Sequence, residues 1–170
     1  MSQKLPDQLL RSELQAASLG AQSTIGNLSD FDDRIQRALR AAAEKKAFNS
    51  TILDLRSIAA FTDFFVITTG ANKRQMQAIA DEIVEHLKRH GTRAARVEGY
   101  QSAEWILIDY GDFIVHIFDE NSRRFYDLER LWREAKRFDV SPEELHSEIS
   151  DARSGNTDFN SDLTGSLKEE

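Results

Sequence analysis

The stretch from residue 64 to residue 91 restricts the fold more than any other part of the chain. The run Phe-Phe-Val-Ile-Thr-Thr (64–69) is rich in β-branched and aromatic residues and ends at Gly70, which predicts a buried strand. A helix is predicted from about Lys73 to His90, because apolar residues recur there at i, i+3, i+4, i+7, i+8 and i+11: Met76, Ile79, Ala80, Ile83, Val84 and Leu87. Gly91 supplies the left-handed stop. A buried strand that leads directly into an amphipathic helix favours an α/β layer structure.

The remaining elements fit the same class. Ser29 and Asp32 resemble a capping box, which predicts a helix from about Asp30 to Lys46. Strands are predicted at 51–55, 95–99, 104–109 and 113–118, and the stretch from Ser122 to about Phe138 has a helical composition. We therefore expect an α/β layered fold, with a mixed β-sheet of about five strands flanked by helices.

The chain of 170 residues fits one domain with tails. Residues 1–28 are predicted to be a mobile N-terminal extension, in which Pro6 opens one short amphipathic helix with the apolar positions Leu5, Leu9, Leu10 and Leu14. Residues 29–140 form the predicted core domain. Residues 141–170 are predicted to be an acidic, largely disordered tail, although Ser141-Pro142-Glu143-Glu144 is a helix-start signal.

The distribution of charge argues against a nucleic-acid-binding protein. Residues 31–140 carry 18 basic and 18 acidic side chains, whereas residues 141–170 carry two basic and eight acidic ones, so the net charge of −7 belongs mainly to the tail. A neutral core offers no broad basic surface to a phosphate backbone, and we expect little direct nucleic-acid contact. No apolar run is long enough to span a membrane, and no signal segment opens the chain, which predicts a cytoplasmic protein.

The segment 104–118 predicts a β-hairpin that turns through Tyr110-Gly111. In this register Asp109 lies opposite Asp112 and Trp105 lies opposite His116. Strand alternation then places one mixed set of side chains on one side of the sheet: Trp105, Leu107, Asp109, Asp112, Ile114 and His116. The other side is purely apolar and belongs to the core. The mixed side, with Tyr110 at the tip, is either a protein-binding hot spot or a solvated turn beneath which Trp105 packs on a helix.

Signals for catalysis and for metal binding are weak. Gly-Ala-Asn-Lys-Arg (70–74) matches neither G-x-G-x-x-G nor a P-loop. His86 and His90 have the i, i+4 spacing that can hold zinc, but they are not part of H-E-x-x-H. The chain has no cysteine, and no nucleophile stands beside His116 by local spacing. We expect no catalytic residue, metal or cofactor.

The stretch from Ser122 to about Phe138 also predicts packing. We expect Phe125, Leu128 and Trp132 to pack in the core, and we expect Arg123 and Arg124 to be available for contacts.

The sequence resembles the ribosomal silencing factor (Iojap) family over roughly residues 35–135. The segment Trp-x-x-x-Asp-Tyr-Gly-Asp-x-x-Val-His is present as Trp105, Asp109, Tyr110, Gly111, Asp112, Val115 and His116. The segment Arg-x-Tyr-x-Leu-Glu-x-Leu-Trp is present as Arg124, Tyr126, Leu128, Glu129, Leu131 and Trp132. Arg74 and Gln75 match a third family position after the second strand. The turn Gly70-Ala71-Asn72 departs mildly from the usual glycine–small–serine pattern.

The resemblance implies a nucleotidyltransferase-like fold and a translational repressor that is not an enzyme. Such a protein would bind the large ribosomal subunit through ribosomal protein fourteen and would block joining of the small subunit. The implied partner-binding residues are Trp105, Leu107, Asp109, Tyr110, Asp112, His116 and Arg124. Two alternatives stay open at this point: a nucleotidyltransferase-like enzyme that uses 70–74 and the two hairpin carboxylates, and a homodimerisation module.

Overall fold

The computed structural model describes residues 27–146. A short 3-10 turn (Leu28–Asp30) precedes four helices: α1 (Asp33–Glu44), α2 (Lys73–Arg89), α3 (Glu120–Tyr126) and α4 (Leu128–Leu131). The strands are β1 (Phe48–Asp54), β2 (Phe64–Thr69), β3 (Arg96–Glu98), β4 (Trp105–Asp109), β5 (Phe113–Phe118) and β6 (Lys136–Asp139). Residues 142–146 are also helical.

The strands form one six-stranded mixed sheet in the order β3-β4-β5-β2-β1-β6. The central pair β2 and β5 is parallel, and the other neighbouring strands are antiparallel. A parallel pair needs a long crossover connection, and α2 is part of it. The predicted α/β class and the mixed sheet are confirmed, and the sheet has one strand more than expected.

One face of the sheet is covered by α1 and α2, and we call it the helix-covered face. The predicted apolar set of the hairpin lies there and is buried: Ile106, Ile108, Phe113, Val115 and Ile117. The apolar stripe of α2 packs against it, with Met76, Ile79 and Ile83 fully buried. This face is the larger core of the domain, as strand alternation and helical periodicity predict together.

The opposite face of the sheet, which we call the open face, has a thinner cover. Its buried cluster consists of Leu53, Leu55, Phe65, Ile67, Ile114, Phe118 and Leu128. The loop after β1 and the segment from α3 to residue 135 lie over this cluster, and Trp105, Leu107 and Trp132 pack against it while staying partly exposed.

Two predicted helices have different bounds in the structure. Asp32, not Ser29, caps α1, because its carboxylate accepts the backbone N–H of Arg34 at 2.8 Å. The continuous helix expected from Ser122 to Phe138 is wrong: Asp127 adopts a left-handed conformation (φ 43°) between α3 and α4, and the chain then enters β6. This edge strand pairs with β1, a long-range contact that the local composition does not show.

The described fold also passes the predicted boundaries of the core. Leu28 and Leu145 are both buried in the core. Ser141 and Glu144 form a reciprocal capping box that holds residues 142–146 against it, with bonds of 2.9 and 3.3 Å. The expected N-terminal helix and most of the expected acidic tail lie outside the described residues. Within residues 27–146, no helix is both long and apolar enough to cross a membrane.

Candidate functional site

The β4–β5 hairpin turns one position later than the sequence suggests. Gly111 and Asp112 form the two-residue turn, in which Gly111 has a φ of +86° and the backbone N–H of Tyr110 bonds to the carbonyl of Phe113 at 3.0 Å. Asp109 therefore lies opposite Ile114, not opposite Asp112. The predicted pairing is wrong by two residues. The predicted faces of the strand residues are nevertheless right, because a shift of two preserves the side of the sheet.

Trp105 and His116 lie side by side on the open face. The indole Nε1–H of Trp105 donates to Nδ1 of His116 at 3.0 Å, which leaves the imidazole proton on Nε2. His116 is only 3% exposed, and its burial lowers its pKa to about 3. The imidazole is therefore a neutral support that orients Trp105. This buried position differs from the surface contact that the sequence suggests for His116.

The two hairpin carboxylates each have a cationic partner within the chain. Asp112 is exposed and accepts a hydrogen bond from Arg34 Nη2 at 2.6 Å, which lowers the pKa of this carboxyl group. Asp109 is half-buried, pairs with Arg96 at 3.1 Å and accepts the backbone N–H of Gly111 at 2.8 Å. The expected repulsion between facing carboxylates is absent, and both groups stabilise the hairpin internally.

Tyr110 does not project from the hairpin tip. It lies on the helix-covered face, where it is 8% exposed and stacks on Phe113 with ring centroids 4.8 Å apart. Burial raises the pKa of its hydroxyl group to about 12, and within the described part of the chain this hydroxyl has no hydrogen-bond partner. The expectation of an exposed aromatic tip is wrong, because the shifted turn makes Tyr110 continue the strand alternation of β4.

The most exposed apolar side chains lie on the cover of the open face. Phe125 is 81% exposed, Leu131 is 70% exposed and Phe61 is 59% exposed. We call the following group the apolar patch: Ile58, Phe61, Phe125, Tyr126, Leu131 and Trp132. Most of these residues line a groove of about 620 Å³. The ring centroids of Tyr126 and Trp105 are 4.7 Å apart, so the patch is continuous with the hairpin.

The sequence analysis missed this patch because it treated residues 122–138 as one helix. In a continuous helix Phe125, Leu128 and Trp132 are spaced i, i+3 and i+7 and share a buried face. The left-handed Asp127 interrupts that spacing. Leu128 is buried and Trp132 is partly buried, as expected, whereas Phe125 turns toward solvent.

The two arginines before Phe125 have different environments. The guanidinium of Arg123 is largely buried, pairs with Glu129 at 2.6 Å, and donates to Thr69 Oγ1 at 2.7 Å and to the carbonyl of Asn49. It therefore ties α3 to the sheet. Arg124 is exposed, donates to Asn121 at 2.8 Å, and lines a neighbouring cleft of about 420 Å³. Of these two predicted contacts, Arg124 is the accessible one.

In the described part of the chain, the histidine pair at the C-terminal end of α2 has no third metal-binding side chain grouped with it. His86 and His90 stack with ring centroids 4.6 Å apart, and Nδ1 of His90 bonds to the carbonyl of His86 at 2.8 Å. Among residues 27–146, no three His, Cys, Asp or Glu side chains are grouped so that they could hold a metal ion.

The fold and the hairpin motif agree with what comparison with known proteins shows. Two crystal structures are similar: a Chromobacterium violaceum protein (TM-score 0.58, 31% identity, 59% of this chain and 83% of that chain) and a Bacillus halodurans protein (TM-score 0.54, 38% identity, 63% and 95%). The chain is thus an α/β domain of a known structural type. It belongs to the family described as "Ribosomal silencing factor during starvation", whose model matches residues 29–163.

Two curated relatives illustrate the breadth of the family. "Ribosomal silencing factor RsfS" of Halalkalibacterium halodurans is 41% identical over 101 residues, which cover 59% of this chain and 86% of the relative. "Protein Iojap-related, mitochondrial" of Arabidopsis thaliana is 32% identical over 136 residues, which cover 76% of this chain and 73% of the relative.

Proposed function

We propose that this protein silences ribosomes in the cytoplasm by binding the large subunit through ribosomal protein fourteen. Bound there, it prevents the small subunit from joining. The family description and the names of the bacterial relatives support the ribosome as the target. The near-neutral core supports a protein partner on the ribosome over direct contact with RNA.

The observation that carries the proposal is the apolar patch beside the hairpin. Large side chains such as Phe125 and Leu131 are rarely exposed together on a monomer unless another macromolecule covers them. The patch meets Trp105 through Tyr126, and its exposed rings resemble the aromatic anchors of protein interfaces. Of the predicted set, Trp105, Leu107 and Arg124 supply further accessible contacts, whereas Asp112 is exposed but already bound by Arg34.

Silencing of this kind needs occupancy and no chemical step. Asp109 and Asp112, the carboxylates that an enzyme hypothesis requires, are held by Arg96 and Arg34, which favours a structural role for both. A bound protein that overlaps the subunit interface excludes the second subunit sterically. We expect an affinity of about −8 kcal/mol or tighter for this purpose.

Co-sedimentation with isolated large subunits tests the proposal. The Leu131→Ser variant should lose about tenfold or more in affinity, because it removes an exposed apolar contact while leaving the core intact. The matched control is Val97→Ser, which changes another exposed apolar residue, on the edge strand β3, and should bind like the parent protein.

Subunit joining is measured in the same gradients. The parent protein should reduce the peak of joined ribosomes, and Leu131→Ser should restore it. If the parent protein migrates apart from the large subunit, the proposed function is wrong. If it forms dimers through the patch and never binds ribosomes, the homodimerisation alternative replaces the proposal.

A further inference from the structure

We propose that the N-terminal segment of this same chain, residues 5–14, docks on the apolar patch and competes there with the ribosomal partner. The competition rests on the function proposed above, whereas the docking itself does not. The apolar side chains of the patch, among them Leu131 and Trp132, line a groove whose remaining walls are charged: Asp127, Arg130, Arg133 and Glu134. In the described part of the chain no element covers this groove. The N-terminal segment, bound in this groove, would keep the ribosomal partner from the patch and so make the protein autoinhibited.

The segment has the sequence of a helix that lacks an apolar surface to bind. Pro6 stands near its first turn, and four leucines supply its apolar positions: Leu5, Leu9, Leu10 and Leu14. A helix of this length spans about 15 Å and is marginal in water on its own. The segment precedes the family match, which starts at residue 29, so it is an addition to the family domain.

The described chain begins on the helix-covered face, where Leu28 is buried, close to the end of the sheet that carries the hairpin turn. Arg34, shortly after the entry point, bonds to Asp112 of the hairpin turn at 2.6 Å. The loop that carries Phe61 reaches the same turn, since Thr62 Oγ1 donates to the carbonyl of Gly111 at 3.0 Å. Phe31, four residues after the described chain begins, contacts Phe64 at the start of β2 with ring centroids 5.8 Å apart, so the tether would pass this end of the sheet to reach the open face.

The tether between the leucines and the fold has a suitable length. Residues 15–26 separate them, and a chain of this length reaches at most about 40 Å. Such a tether gives an effective concentration of about a millimolar. At micromolar protein, the segment of the same chain therefore has a large advantage over the segment of a second copy.

Introduced cysteine pairs test the docking directly, because the natural chain has no cysteine. In the full-length protein, Leu10→Cys combined with Leu131→Cys should form an intramolecular disulfide about tenfold faster than Leu10→Cys combined with Val97→Cys. Val97 is a matched control because it is also exposed and apolar but pairs with Ile108, a residue of the helix-covered face. Adding Leu9→Ser and Leu14→Ser should remove the difference.

Each result is decisive for the docking. Equal rates for the two pairs would overturn it, as would a disulfide that forms only between molecules and slows on dilution. A third pair combines Leu163→Cys with Leu131→Cys. If its disulfide forms faster than that of Leu10→Cys with Leu131→Cys, the groove binds the C-terminal tail and the proposed docking is wrong. No ribosome is needed for these measurements.

Ribosome binding separates the two proposals. With natural side chains elsewhere, Leu9→Ser with Leu14→Ser should raise the affinity for large subunits about fivefold, because it frees the patch. The control Gln8→Ser with Gln15→Ser should leave it unchanged. Trapping without any ribosome binding contradicts the proposed function alone, whereas ribosome binding without trapping contradicts the docking alone.

Discussion

At the scale of single residues, His116 of the family motif and Gly99 before β4 have structural roles in this chain. His116 accepts the indole proton of Trp105 and is buried, and Gly99 lies against the backbone of β4. Both residues position other groups. His116 orients an aromatic side chain at the edge of the candidate surface, and Gly99 lets two backbone segments approach closely.

The buried imidazole predicts a pH-dependent stability. The pKa of His116 is lowered to about 3 in the folded protein, whereas the unfolded chain has an ordinary value near 6.5. The unfolded state therefore binds one more proton between these values, and stability falls as the pH drops below about 6.5. Between pH 6.5 and 4.5 we expect His116 alone to remove about 2 kcal/mol from the free energy of unfolding in urea.

The matched variants isolate this contribution. His116→Gln keeps a hydrogen-bond acceptor for Trp105 but cannot titrate, so most of the loss between pH 6.5 and 4.5 should disappear. His90→Gln changes the exposed histidine that follows α2 and should keep the loss. An unchanged pH dependence in His116→Gln would show that the imidazole is not the titrating group.

Two glycines predict stability losses of different size for the same substitution. A Cβ at Gly99 would lie 2.0 Å from the carbonyl oxygen of Trp105, and the residue has a φ of +74°. Gly99→Ala should therefore cost about 3 kcal/mol or more, since the backbone has to move. Gly91 has a φ of +86°, and a Cβ added there would have no neighbouring atom within 4 Å. Gly91→Ala should therefore cost about 1 kcal/mol. Equal losses in urea unfolding would contradict the close approach.

At the scale of elements, single polar side chains fix how the helices meet. Gln75, part of the family match, accepts the backbone N–H of Ala71 at 2.6 Å and donates to the carbonyls of Lys45 and Lys46 at 3.0 and 2.9 Å. It thus joins the first turn of α2 to the end of α1. Arg34 similarly joins the start of α1 to the hairpin turn.

The Gln75 contacts predict a stability loss that charge or helix propensity does not explain. Gln75→Ala removes three hydrogen bonds and should lower the free energy of unfolding by about 2 kcal/mol. Lys73→Ala, an exposed change in the same helical turn, should stay within about 0.5 kcal/mol of the parent protein. Similar urea midpoints for both variants would rule out the proposed clamp.

At the scale of the whole molecule, the charge distribution predicts how binding responds to salt. The balanced charge of residues 31–140 favours apolar contacts with a protein partner. Affinity for large subunits should therefore fall by less than about tenfold between 50 and 200 mM monovalent salt at fixed magnesium. A fall of about a thousandfold, measured by co-sedimentation, would indicate contact with several phosphates and would argue against a protein partner.

The sequence by itself determined the class of fold, the position of α2, the two faces of the hairpin and the family resemblance. These properties follow from local periodicity, because backbone geometry fixes a period of two in strands and of 3.6 in helices. Family motifs such as the one that ends at His116 are also local, because each lies within one short continuous segment of the chain.

Only the tertiary structure decided the hairpin register, the partners of its carboxylates and the exposure of the apolar patch. Arg34 and Asp112 are 78 positions apart, and β6 pairs with a strand from the start of the domain. The left-handed Asp127 that directs Phe125 outward is stable only where the surrounding packing holds it. These features depend on contacts between distant segments, which a local pattern does not encode.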